Sequence, residues 1–266
     1  MEMGVLDFEE ERVESFGDSE RVVFFQVVEK VTEIIMRPNL KIAIGSGKVI
    51  FELIEWLKTN VKKEKCRGIK VYCSLPGQVP VLANSGVDAH LGVPDETGEY
   101  NIKNQLDYFF EMPERMNEDL TFVKFSNECA HRKQLFAIAK QSVFFYFHKK
   151  NEIFQSIKAI PLELSRGYYQ HLKRTLITHV ATLQHPRKEA EVEEEDENVV
   201  KMDWIWDPKS SKTKDITAYC AFLDRLHGLI AHGVYQNVDG YLIRLTKEDN
   251  EEVQMTSMPL KMIQKL

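Results

Sequence analysis

Apolar residues recur at helical spacing from Glu20 to Met36, and Pro38 ends the pattern, so a first helix is predicted there. Leu40 to Ile44 reads as a short buried strand. It runs straight into Gly45-Ser46-Gly47 and a second helix with Ile50, Leu53, Ile54 and Leu57 on one face. Gly68 to Ser74 repeats the strand pattern, and Pro76 and Gly77 mark a turn before a short helix. Further strands are predicted over 106–110 and 120–123, a helix over 129–140 and a strand over 142–147. Strands alternating with helices imply a parallel sheet covered on both faces, an α/β class. After residue 199 the pattern changes to a strand over 199–206, a helix over 216–229 and a strand over 241–246 behind the turn Asn237-Val-Asp-Gly240. This reads as a smaller α+β lobe, with its antiparallel strands kept out of the parallel sheet. The expected organisation is an acidic tail over 1–19 and a main domain over 20–150. The rest of that domain, over 151–198, includes an acidic loop at 189–197. A small lobe over 199–250 and a segment returning to the main domain over 251–266 complete it.

Composition narrows the function. The 266 residues are 43% hydrophobic and 29% charged, enough to bury a sizeable core. The net charge is -6, so there is no basic excess to meet a run of phosphates, and nucleic acid is not the expected partner. The densest apolar stretch, Phe144 to Phe147, is followed by His148 and two lysines, far short of the ~20 residues of a membrane span. The acidic N-terminus is unlike a secretory signal, and a cytoplasmic address is expected. Cys66, Cys73, Cys129 and Cys220 are scattered and lack a Cys-x-x-Cys pair, so reduced, mostly buried thiols are expected. Cys129 and His131, two apart on a helix, point to different sides, and no metal or other cofactor is expected. The run Glu189 to Glu197 repels itself and reads as a solvated loop.

Three places could carry chemistry. Gly45, Ser46, Gly47 and Lys48 lie where a strand gives way to a helix, which suits a phosphate; a plain tight turn fits equally well. Ile42 and Val49 rule out a nucleotide P-loop, and Ile50 rules out a dinucleotide fingerprint. Glu111 and Glu114 follow a predicted strand and would face the crevice of an α/β protein, where paired carboxylates can move protons, or they are solvated surface. Lys124, at the end of the next predicted strand, is placed on the same sheet edge and could hold an oxyanion. Arg132 and Lys133 stand near a helix start, where cations are unfavourable unless a ligand or a carboxylate offsets them.

In this order, the pieces resemble ribose-5-phosphate isomerase of the A type, from about residue 20 to the C-terminus. Ala43 to Val49 stands at the family's Gly-x-Gly-Thr-Gly-Ser-Thr, Glu111 to Arg115 at its Asp-Gly-Ala-Asp-Glu, Lys124 to Glu128 at its Lys-Gly-Gly-Gly-Gly, and Arg132-Lys133-Gln134 at its Arg-Glu-Lys. Glu114 and Lys124 are ten residues apart and Lys124 and Lys133 nine, as in the family. Ile160-Pro-Leu-Glu163-Leu, Met202 to Asp207 and Leu226 to Gly233 match later landmarks. The resemblance implies a Rossmann-like parallel-sheet domain with a smaller lobe. It implies conversion of ribose 5-phosphate to ribulose 5-phosphate through an enediolate, and places Glu111, Glu114, Lys124 and Lys133 at catalytic positions. Gly45, Ser46, Gly47, Lys48, Ser126 and Asn127 would contact sugar and phosphate. The family's base is the glutamate of Arg-Glu-Lys, here Lys133, and its glycine loop is lost, so the reading is an isomerase-family protein with weak or lost turnover. The alternative is a non-catalytic sugar-phosphate-binding protein or a partner subunit of an active paralogue, in a homo-oligomer or hetero-oligomer.

Overall fold

The computed structural model describes residues 11–13, 20–93, 106–124, 129–149, 152, 154, 157, 159–179, 198–205, 215–247 and 253–260. The acidic run at 189–197, Ser126, Asn127 and most of the 1–19 tail lie outside them. The chain forms two compact units, one from Met1–Pro113, Gln134–Ile153 and Asn237–Leu266, the other from Glu114–Lys133 and Phe154–Gln236.

The larger unit is an α/β sheet of eight strands: β1 (Glu11–Val13), β2 (Lys41–Ile44), β3 (Lys70–Cys73), β4 (Asp88–Leu91), β5 (Leu106–Glu111), β8 (Ala139–Lys149), β13 (Gly240–Lys247) and β14 (Val253–Leu260). Their order is β1-β14-β13-β8-β5-β2-β3-β4. All neighbours from β13 to β4 pair in parallel, while β14 pairs antiparallel with both β13 and β1. Helices α1 (Glu20–Ile35), α2 (Lys48–Asn60) and α3 (Gln78–Ala83) belong to this unit. Val23, Val27 and Val31 of α1 and Ile50, Leu53 and Leu57 of α2 join Ile42, Ile44, Val71, Phe110 and Phe145 in one core, as their spacing predicts. The consecutive residues Val143, Phe144, Phe145 and Tyr146 are all buried, the pattern of a strand covered on both faces.

The smaller unit holds β6 (Arg115–Met116), β7 (Phe122–Val123), β9 (Ala159–Ser165), β10 (Val199–Ile205), β11 (Leu229–His232) and β12 (Val234–Tyr235). These make two antiparallel sheets, β10-β9-β11 and β12-β7-β6. Helix α4 (Cys129–Ile138) begins in this unit, and α5 (Tyr169–His179) and α6 (Ile216–Leu223) complete it. Leu162, Leu164, Leu172, Leu176, Tyr219 and Leu223 form its core.

Three sequence expectations are corrected. The strand expected over 120–123 is not in the parallel sheet. Leu120 has φ 59 in a turn where Asn117 and Asp119 accept the Thr121 N–H, so only Phe122 and Val123 extend, in a small antiparallel sheet. The strand expected in the small lobe, here β13, lies in the large sheet beside β8, and the antiparallel hairpin β13-β14 extends that sheet rather than being excluded from it. The helix expected over 216–229 stops at Leu223, and Gly228, at φ 93, turns the chain into β11.

Candidate functional site

The turn from β2 to α2 is built around a buried carboxylate. Gly45 donates its N–H to the Phe110 carbonyl at 2.8 Å, and its own carbonyl accepts the Gln78 amide at 2.7 Å. Glu111, the last residue of β5, has no exposed surface. Its Oε1 accepts the N–H of Ser46 at 3.0 Å and of Met112 at 2.8 Å. A methyl group on Gly45 would run into that carboxylate, so the sequence needs glycine there. Gly47 is needed for its backbone, because φ 125 starts α2 in a region side chains avoid. Gly45, Ser46, Gly47 and Glu111 are therefore brought together. Lys48 turns to Glu20 of α1, with Nζ 2.7 Å from the carboxylate and most of its side chain in solvent.

Beside Lys48 lies a cavity of about 560 Å³ lined by Glu20, Arg21, Phe24, Lys48, Phe51 and Glu52. Arg21 donates to the buried Glu52 at 2.9 Å and stands 5.7 Å over the Phe51 ring. Of these, only Lys48 stands out in the sequence as a candidate for chemistry. Two helices read singly for their core faces do not reveal what their other faces enclose.

In the smaller unit, Lys124 follows β7 and not a strand of the parallel sheet, which corrects its expected place. It is 4% exposed, and its N–H reaches the Gly233 carbonyl at 2.9 Å. Its ammonium pairs with Glu114 at 2.9 Å, and the Glu114 N–H in turn bonds to the Val123 carbonyl. Glu114 and Lys124 are brought together as a charge-neutral pair.

Helix α4 begins with its first N–H groups on one carboxylate. Glu163 of β9, itself buried, accepts from Cys129 at 2.7 Å through Oε1 and from Ala130 at 3.0 Å through Oε2. The sequence asked for a negative group to offset Arg132 and Lys133, and Glu163 supplies it. The signal was a single charge inside the apolar run Ile160 to Leu164. Arg132 is fully buried, with Nη2 4.0 Å from the Cys129 sulfur. Lys133 is half-buried, with Nζ 5.7 Å from the Tyr235 ring centroid. Desolvation lowers its pKa from the ordinary amine value, against the upward pull of Cys220, Asp224 and Cys129.

All four cysteines are free and buried. Among the described residues no group of three metal-ligating side chains is placed to hold an ion, and no helix is long and apolar enough to cross a membrane.

A mostly parallel sheet with flanking helices, and a second unit of small antiparallel sheets, make this an α/β protein, and solved structures of ribose 5-phosphate isomerase A share its fold. Ribose 5-phosphate isomerase from Plasmodium falciparum superposes with a TM-score of 0.69 and 14% identity, over 91% of this chain and 98% of that one. Ribose 5-phosphate isomerase A from Neisseria gonorrhoeae gives 0.65 and 14%, over 91% and 98%. The enzyme from Methanocaldococcus jannaschii gives 0.63 and 13%, over 91% and 100%. No protein-family model and no curated protein matches the sequence. At these identities the likeness is one of fold.

Proposed function

We propose that this protein binds a pentose phosphate through the turn at Gly45 to Lys48, and that its isomerase turnover is weak or absent. The observation that carries this reading is Lys133, a half-buried amine standing where the resembling family has its proton-shuttling glutamate. An ammonium group cannot take a proton from carbon, and a neutral amine is a different base from the carboxylate that stands at this position in the family. Glu111 is no ready substitute, since two N–H groups on one oxygen fix its position. Glu114 is partnered by Lys124.

Binding is better supported than turnover. The Lys48–Glu20 pair is exposed, and such pairs contribute only about 0–1 kcal/mol, so a phosphate dianion can take Lys48 from Glu20 at little cost. The adjacent cavity falls within the roughly 300–1,000 Å³ of ligand sites.

The test is an assay of ribose 5-phosphate conversion by the purified protein and by Lys133→Glu. Loss of a general base costs about 10² to 10⁴ in rate, so the wild type should fall well below the usual roughly 1 to 10³ per second, and Lys133→Glu should gain. Wild-type turnover in the ordinary range would refute the impaired reading. Millimolar ribose 5-phosphate should raise the melting temperature; an unchanged value counts against binding.

A further inference from the structure

Helices α1 and α2 enclose the cavity beside Lys48 with their first turns. Glu20, Arg21 and Phe24 of α1 face it, as do Lys48, Phe51 and Glu52 of α2, so each helix turns one side toward it. Phe24 is buried and packs edge-on against Phe147 of β8, with ring centroids 5.4 Å apart, which fixes one wall. Phe51 is 51% exposed and forms a wall that solvent still reaches.

Glu52 is the buried polar group of this cavity. Its side chain is 5% exposed, and its Oε1 accepts from Arg21 Nε at 2.9 Å. Oε2 takes no hydrogen bond from any described residue. A carboxylate oxygen withdrawn from water is costly without a donor, so the cavity presents an acceptor that calls for one. Arg21 uses only Nε on Glu52, which leaves both Nη groups without an acceptor among the described residues. Lys48, paired with Glu20 in solvent, is the other cation beside the cavity.

These features suit different parts of one ligand. Two phenyl rings bury a flat apolar body, Glu52 Oε2 accepts from an N–H at its edge, and Lys48 and Arg21 bind an anion. A bare sugar phosphate supplies the anion, but it has no flat apolar surface for Phe24 and Phe51, and its hydroxyls would be buried against them. We propose that the occupant of this cavity is a nucleoside 5′-monophosphate whose base carries an amino group. The phosphate half of this assignment rests on the pentose-phosphate reading above, since a nucleotide is a pentose phosphate with a base on C1. The base stacks on Phe51, its amino group donates to Glu52 Oε2, and the phosphate takes Lys48 from Glu20. Stacking on an aromatic side chain and an edge hydrogen bond to a carboxylate are general means of holding a base. The assignment also removes the need for a base at position 133. With C1 bonded to nitrogen the sugar has no aldehyde to open to, so no enediolate forms and no proton shuttle is required.

The experiment is isothermal titration of the full-length protein with adenosine 5′-monophosphate, purine riboside 5′-monophosphate, adenosine and ribose 5-phosphate. Adenosine 5′-monophosphate should bind about tenfold or more tighter than ribose 5-phosphate, because stacking adds to the phosphate contact. Purine riboside 5′-monophosphate, which lacks the amino group, should lose about tenfold, the share of one hydrogen bond to a carboxylate. Phe51→Ala, where the side chain is half in solvent, should weaken the nucleotide about tenfold and ribose 5-phosphate by less than about twofold. A nucleotide that binds no tighter than ribose 5-phosphate overturns the base subsite and leaves the pentose-phosphate reading standing, whereas no heat from either ligand overturns both. Purine riboside 5′-monophosphate binding as tightly as the adenosine compound overturns the contact to Glu52. Adenosine binding as tightly as its monophosphate overturns the role of Lys48, and a nucleotide affinity unmoved by Phe51→Ala overturns the placement between α1 and α2. The wild-type ranking decides the ligand class whether or not the variant folds.

Discussion

At Glu111 the chain buries a carboxylate completely, and such a group is tolerated where N–H donors take its charge. Ser46 and Met112 are two of those donors, and the missing side chain of Gly45 makes the room. The two residues should therefore be energetically coupled. Gly45→Ala should cost about 1–3 kcal/mol by overpacking in the wild type. In a Glu111→Ala background it should cost less, with a coupling of roughly 0.5 kcal/mol or more in urea unfolding. Strict additivity would mean that the carboxylate does not occupy the space over Gly45. The sequence showed that a glycine turn sits before a helix, but not what leans on it, because Glu111 is 66 residues away and meets Gly45 only through the pairing of β2 with β5.

Among the elements, α4 depends on a partner outside itself. Its first turn carries no acidic residue, and Glu163 from β9 takes the N–H groups of Cys129 and Ala130. Glu163→Ala would strand both donors, and we expect a loss of about 1–3 kcal/mol, with Glu163→Gln intermediate because an amide oxygen still accepts. Thermal melts of the two variants check the order; equal melts for Glu163→Ala and wild type would show that the cap is dispensable. By contrast, α1 and α2 were legible from spacing alone, since their apolar faces are where period 3.6 puts them. Strand β7 was not, because local side-chain hydrogen bonds in the preceding turn overrode the apolar pattern at Leu120.

Over the whole molecule, two buried imidazoles set the pH range of stability. His148 of β8 donates from Nδ1 to the Lys149 carbonyl at 2.8 Å and shares a hydrogen bond of 3.1 Å between Nε2 and the Thr246 hydroxyl of β13. Burial lowers the pKa of both His148 and His232 from 6.5, the carbonyl of Lys149 and the carboxylate of Asp224 notwithstanding. The unfolded chain therefore binds protons through pH 6.5 while the folded chain does not, so stability is complete above that value and falls as pH drops below it. Urea midpoints should decline from pH 7.5 to 5.5, and the decline should shrink in His148→Gln. A profile flat over that interval would contradict the neutral assignments. The sequence by itself determined the elements whose pattern is local: the first helices, the strand-turn-helix at Gly45, the apolar strand through Phe144, and the residues able to do chemistry. Only the tertiary structure decided that β13 joins β8, that Glu111 fills the space over Gly45, that Lys124 pairs with Glu114, and what surrounds Lys133. Hydrophobic periodicity records which face of an element is buried, whereas the identity of the neighbour is fixed by contacts between residues far apart in the chain.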